Sequence, residues 1–180
     1  MKISFRLPTG PRNALALLLL AASAVAGAAA DNRPARAEVS WAPTEKLTEV
    51  RYNQVGRGWL RPEEWERQLG EQFRRSADRV LPQGQQLRVQ INDVKLAGAF
   101  EPWHRPGLDD VRIMKDIYPP TMELHYTLLG ADGATLREGD AKLRDTSYLQ
   151  RAVPNSTDPL RYDKRMIDEW LRKEFGPKRS

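Results

Sequence analysis

Two short segments concentrate the side chains that could do chemistry. The first runs Trp103-His104-Arg105 and continues to Asp109, Asp110 and Arg112; the second is Lys115-Asp116 followed by Tyr118-Pro119-Pro120. Asp93 stands upstream, beside Asn92. Aromatic rings set among carboxylates, a histidine and guanidinium groups would make a mixed-charge surface suited to a peptide, a glycan fragment or a partner protein. The candidate binding patch is therefore Asp93, Trp103, His104, Asp109, Asp110, Arg112, Lys115, Asp116 and Tyr118. The same carboxylates are numerous enough for hydrolytic acid–base work, but no spacing fixes the geometry of a pair.

Other chemistries lack their parts. There are two histidines, His104 and His125, no cysteine and no H-E-x-x-H, so no metal-ligand spacing is present and neither metal nor cofactor is expected. A thiol nucleophile is excluded, no G-x-S-x-G occurs, Ser147 and Ser156 have no evident partners, and no Gly-rich phosphate loop follows a strand. Glu123 and His125 share a strand face opposite the apolar residues and read as solvated. Arg161, Lys164, Arg165, Arg172 and Lys173 interleave with Asp163, Asp168 and Glu169, which reads as a salt-bridged wet helix face rather than a polyanion track.

The elements that must position these residues follow from periodicity. Residues 38–41 alternate and predict a short strand; 43–60 read as irregular, with Gly56 and Gly58 as hinges. Pro62 suits the first position of a helix, and Trp65, Leu69, Phe73, Ala77 and Val80 form one apolar stripe. Glu63–Arg67 and Glu71–Arg75 are expected pairs on its wet side, and Pro82 and Gly84 end it.

Leu87, Val89 and Ile91 alternate, then Val94 and Leu96 continue on the opposite parity. That switch predicts a β-bulge at Asn92-Asp93. A loop is expected over 97–110, and strands over 111–118, 122–128 and 135–143. Ala131-Asp132-Gly133 is the hairpin turn between the last two, and Gly139-Asp140 marks a twist or bulge. After a polar loop over 151–157, Asp158 is the expected N-cap of a helix with Pro159 as its first residue. Leu160, Ile167, Trp170, Leu171 and Phe175 form its stripe, and Gly176-Pro177 ends it. The order is β-α-β-β-β-β-α. It implies an α+β domain over 38–176, a mostly antiparallel sheet of about five strands with two helices packed on one face.

Within a strand over 111–118, Lys115 and Asp116 would point to opposite faces, so one charge would aim at the core. Such a charge must be paired or lie at a sheet edge. Charges and Pro119-Pro120 on an edge strand would also block pairing with other chains, which accounts for the run without a ligand.

The chain opens with Lys2, Arg6 and Arg12, an apolar run over 14–30 and Ala28-Ala29-Ala30, the pattern of a secretory signal peptide over 1–30. Ala35-Arg36-Ala37 is a second candidate cleavage site, and 31–37 and 177–180 are expected to be disordered. The leader carries three basic residues and no acidic one, so the net charge of +5 falls to +2 on its removal. That small value does not argue for nucleic acid. An exported, cysteine-free chain with no membrane anchor after cleavage is expected to be periplasmic or secreted.

The segments NDVKLAG (92–98), RIMKDIYPP (112–120), LREGDAKLRD (136–145) and LRYDKRMIDEW (160–170) together resemble a bacterial exported family catalogued as domain of unknown function 3016. The similarity spans about 39–175. The resemblance implies an exported single domain and assigns no activity, ligand or catalytic residue. The residues themselves favour a non-catalytic cell-envelope protein binding an unknown envelope protein, peptide or glycan. The alternatives are an envelope hydrolase using the loop carboxylates and adhesion to an anionic surface through the Arg-rich face.

Overall fold

The computed structural model describes residues 36–52, 60–101, 111–151 and 156–177. In chain order the elements are β1 (Ala37–Trp41), a 3₁₀ turn (Thr44–Lys46), α1 (Thr48–Tyr52), α2 (Pro62–Val80), β2 (Gln86–Lys95), β3 (Ala99–Phe100), β4 (Arg112–Ile113), β5 (Thr121–Leu129), β6 (Thr135–Arg144) and α3 (Arg161–Phe175). The fold is α+β. A four-stranded sheet has the order β1-β2-β5-β6, and β3 and β4 form a separate two-stranded ribbon. β1 runs parallel to β2, with α2 as the crossover, while the β2–β5 and β5–β6 pairs are antiparallel.

The two long helices lie on one face of the sheet. The α2 stripe buries Trp65, Leu69, Phe73 and Ala77; α3 buries Met166, Ile167 and Leu171. They meet Leu87, Val89, Ile91, Leu124, Tyr126 and Leu128 in one core. The β2 register shifts between Ile91 and Asp93, and Val94 and Leu96 are buried along with the residues before it, as the parity switch required. Trp170 packs edge-on against Phe73 at 6.1 Å and Tyr126 at 5.6 Å. The other face of the sheet is polar: Glu38 meets Arg88, Glu123 meets Lys142, and His125 bonds Asp140 and Glu138. Those two carboxylates raise the His125 pKa, Asp140 most strongly.

Several expectations need correction. The span 111–118 is a strand only at Arg112–Ile113. The Tyr118 N–H donates to the Lys115 carbonyl at 2.8 Å, closing a turn that breaks the alternation. Residues 44–52 are not irregular but carry the 3₁₀ turn and α1. Residue 37 is no part of a disordered tail: Ala37 is buried in β1, and Arg36 Nη1 donates to the Leu81 carbonyl at 2.8 Å. α3 starts at Arg161, because the Asp158 carboxylate accepts the Leu160 N–H and holds Pro159-Leu160 in a turn. Arg67 pairs with Glu71 at 2.7 Å rather than with Glu63.

The hairpin turn forms as expected, with Gly133 at φ +79°. The β5–β6 irregularity falls at Leu128/Leu129, not at Gly139, which pairs in register with Tyr126. Among the described residues no helix is long and apolar enough to cross a membrane.

Candidate functional site

The residues of interest gather where the short ribbon meets the end of β2, α1 and the start of α3. The chain leaves β2 at Ala97-Gly98. Gly98 has φ +81°, and a Cβ there would stand 2.8 Å from the Ile113 carbonyl oxygen and 2.7 Å from Met114 Sδ. Only glycine allows so tight a reversal against β4.

That reversal turns three carbonyls toward Arg112. Its Nε donates to Ala97 O at 2.6 Å, and its Nη2 donates to Leu96 O at 2.9 Å and Gly98 O at 3.1 Å. The same guanidinium grips Glu49 of α1 with both terminal nitrogens, at 2.6 and 3.1 Å. Glu49 in turn accepts the Leu96 N–H at 2.8 Å. The two side chains are 1% and 5% exposed, so this is a buried, bidentate ion pair.

Asp163 of α3 completes the cluster. Its Oδ1 accepts the Ala97 N–H at 3.1 Å, while Oδ2 is buried without a hydrogen-bond partner. Burial pushes its pKa up to about 7, more than the attraction of Arg112 lowers it, and the Glu49 carboxylate adds to the rise.

A second cluster lies outside the first. Lys115 Nζ donates to both Glu101 oxygens, at 2.8 and 2.7 Å, and Tyr118 OH donates to Glu101 at 2.7 Å. That bond, more than burial, raises the Tyr118 pKa. Lys95 Nζ stands 5.6 Å from the Tyr118 ring centroid. Beneath the turn, Tyr148 OH donates to the Lys115 carbonyl at 2.8 Å; burial lifts its pKa to about 12. Neither Lys115 nor Asp116 therefore points into the core. Lys115 is paired at the rim, Asp116 is exposed, and Ile117 at the tip is 70% exposed.

Asp93 has a different task. Its two oxygens accept the N–H and Oγ1–H of Thr48, each at 2.7 Å, so it caps α1 from across the bulge. Of the nine patch residues, Lys115, Asp116 and Tyr118 come together at one surface. Arg112 lies beneath them, and Asp93 holds the neighbouring helix. Trp103, His104, Asp109 and Asp110 lie outside the described residues.

Three acids in these clusters escape sequence reasoning. Asp163 is buried rather than on the wet face of its helix; it continues the spacing Leu160, Asp163, Ile167, Leu171, and that spacing is the available signal. Glu49 and Glu101 carry no such mark. Of the basic residues of α3, Lys164 pairs with Asp158 at 2.6 Å and Arg165 with Asp145 at 3.1 Å, partners that precede the helix and lie nearer than the acids interleaved on it. Among the described residues no group of His, Asp and Glu could hold a metal ion.

Chemically, two charge pairs dominate the region, Arg112 with Glu49 and Lys115 with Glu101. A guanidinium and an ammonium each face a carboxylate, and the phenol donates to the same carboxylate as the ammonium. The arrangement fixes a surface turn over a rigid polar base. A family model described as "Protein of unknown function (DUF3016)" matches residues 35–173. No curated protein and no solved structure matches the chain.

Proposed function

The chain belongs to the DUF3016 family, and from that premise we propose that it is an exported, non-catalytic cell-envelope protein that binds a partner through the turn at 115–118. One observation carries the reading: an apolar side chain, Ile117, is held out to solvent on a turn fixed at three points. Those points are Tyr118 N–H to Lys115 O, Tyr148 OH to Lys115 O, and Tyr118 OH to Glu101. A preorganised apolar tip rimmed by Lys115, Asp116 and Tyr118 loses little conformational freedom on binding. The basic, apolar and small-residue segments over 1–30 support export. A peptide or an envelope protein is the favoured occupant, since the tip offers one apolar contact flanked by both charge signs.

A photo-cross-linking side chain at position 116, in the exposed turn, tests this in whole envelopes, with position 142 on β6 as the control site. A discrete product is expected from position 116 only. Excess unlabelled wild-type protein should compete it away, and excess Ile117→Asp protein should not. Equal labelling from both positions, or equal competition by both proteins, refutes the reading.

A further inference from the structure

The outer edge of β1 and the groove beside it form a second surface, remote in sequence from the turn just described. β1 pairs with β2 on one side only. The bonds Leu87 N–H to Arg36 O at 2.8 Å and Ala42 N–H to Ile91 O at 2.7 Å bracket that pairing. In a parallel ladder the residues between them alternate, so 38 and 40 face β2, while the main-chain groups of Val39 and Trp41 face outward. Among the described residues these outward groups have no main-chain partner. The opposite edge, β6, carries Arg137, Glu138, Asp140, Lys142 and Arg144, which guard it against pairing. On β1, Glu38 is the one charged residue, and Arg88 holds it on the solvent face.

Between β1 and α2 lies an open groove of about 280 Å³. Gly70, in the middle of the helix, is part of its lining. A Cβ there would meet nothing nearer than the Arg74 guanidinium at 3.8 Å. Since β1 and β2 are parallel and α2 connects them, α2 runs back against β1. Trp41 therefore sits by the start of the helix, 5.6 Å from the Trp65 ring, and Arg36 sits by its end at Leu81.

The groove is consequently polarised. Glu63 and Glu66 lie at the Trp41 end, and Arg74 lies toward the other. Arg67 is engaged by Glu71, and Glu66 accepts a hydrogen bond from Thr44. Arg74 has no ion pair among the described residues.

We infer that this edge pairs with a second copy of the chain, β1 against β1 in antiparallel fashion about a two-fold axis at Ser40. A two-fold axis turns one polarised groove end for end onto the other, so the acidic end of each copy faces Arg74 of the partner subunit. Such self-complementarity is what an isologous interface requires. In this register Val39 exchanges main-chain bonds with Trp41 of the partner subunit, and that indole lies at the mouth of the groove. Glu38 then stands opposite Ala42 of the partner subunit, so no like charges meet.

The test uses the full coding sequence, with the protein purified after expression. Sedimentation equilibrium should show a monomer–dimer equilibrium. The chain has no cysteine, so Ser40→Cys introduces a single reporter. Across the axis the two Cα atoms would stand about 4.5 Å apart, as in a non-hydrogen-bonded antiparallel pair. That distance permits a disulfide. Ser40→Cys should oxidise to a covalent dimer, and Lys142→Cys on β6 should not.

Val39→Pro removes an N–H that β2 does not use and should give a monomer with unchanged circular dichroism. Arg74→Glu should raise the dimer dissociation constant about tenfold or more, and adding Glu63→Arg should restore it. The charge pair decides the matter if Val39→Pro does not fold. A monomer at concentrations into the millimolar range overturns the inference and leaves the groove to a foreign strand. Equal oxidation at positions 40 and 142, or no rescue by the swapped charges, overturns it as well.

Discussion

Replacing Arg112 by methionine removes the hub of the inner cluster while keeping an unbranched side chain of similar reach. Five hydrogen bonds go with it: two to Glu49 and one each to the carbonyls of Leu96, Ala97 and Gly98. Glu49, with a side chain 5% exposed, loses the guanidinium that grips both of its oxygens. Breaking one member of a buried ion pair costs about 3–5 kcal/mol.

For a domain of this size that loss lowers the melting temperature by roughly 6–20 °C. Urea denaturation followed by tryptophan fluorescence measures it as a shift in midpoint at constant slope. The double variant Arg112→Met, Glu49→Met removes both charges and should recover most of the loss, because an apolar pair of matching volume is often as stable as the ion pair it replaces. A single-variant loss below about 1 kcal/mol would mean that water reaches the cluster, as at an exposed pair. That result would refute the reasoning. A double variant as unstable as the single would show that the three carbonyls, not the carboxylate, carry the cost.

Further outcomes follow from the same geometry. Asp163 has a folded-state pKa of about 7 against an ordinary value of 3.8, so its protonated form favours the fold. Its contribution is complete below the ordinary value and is lost as pH rises toward 7. Between pH 5 and 7 that is on the order of 2–3 kcal/mol, and Asp163→Asn should flatten the stability–pH curve over this window. An identical curve for both proteins would contradict it. Asp116→Ala should change stability by no more than about 0.5 kcal/mol, since the side chain is exposed; calorimetry checks this. Processing is expected after Ala30 rather than after Ala37, because the later cut would remove the first residue of β1 and the Arg36–Leu81 bond. The intact mass of protein purified from the envelope decides between them.

The periodic parts of the fold were legible. The α2 stripe, the parity switch at Asn92-Asp93 and the turn ending at Gly133 each state a local rule that packing then obeys. The strand expected over 111–118 fails for a physical reason. Its apolar residues mimic a strand, but Pro119 and Pro120 are both buried and the turn at 115–118 satisfies main-chain groups a ladder would have used. With no strand there, Lys115 and Asp116 need not face opposite sides of a sheet: one is paired at the rim and the other is exposed. Partners brought together across the chain were not legible: Glu49 and Arg112 are 63 residues apart, and Lys115 and Glu101 meet only because the ribbon folds back. No local pattern announces such pairs. Asp163 alone gave notice of its burial, by falling on an apolar stripe.

α1 has five residues, too few to nucleate a helix unaided. Its first residue is tied to Asp93 and its second to Arg112, so its survival depends on strands far along the chain. Amide protons of Val50 and Arg51 bond to the Leu47 carbonyl. Their exchange with solvent deuterium is therefore a clock for opening of the whole corner: when β4 peels away, these two distant amides lose protection in the same event.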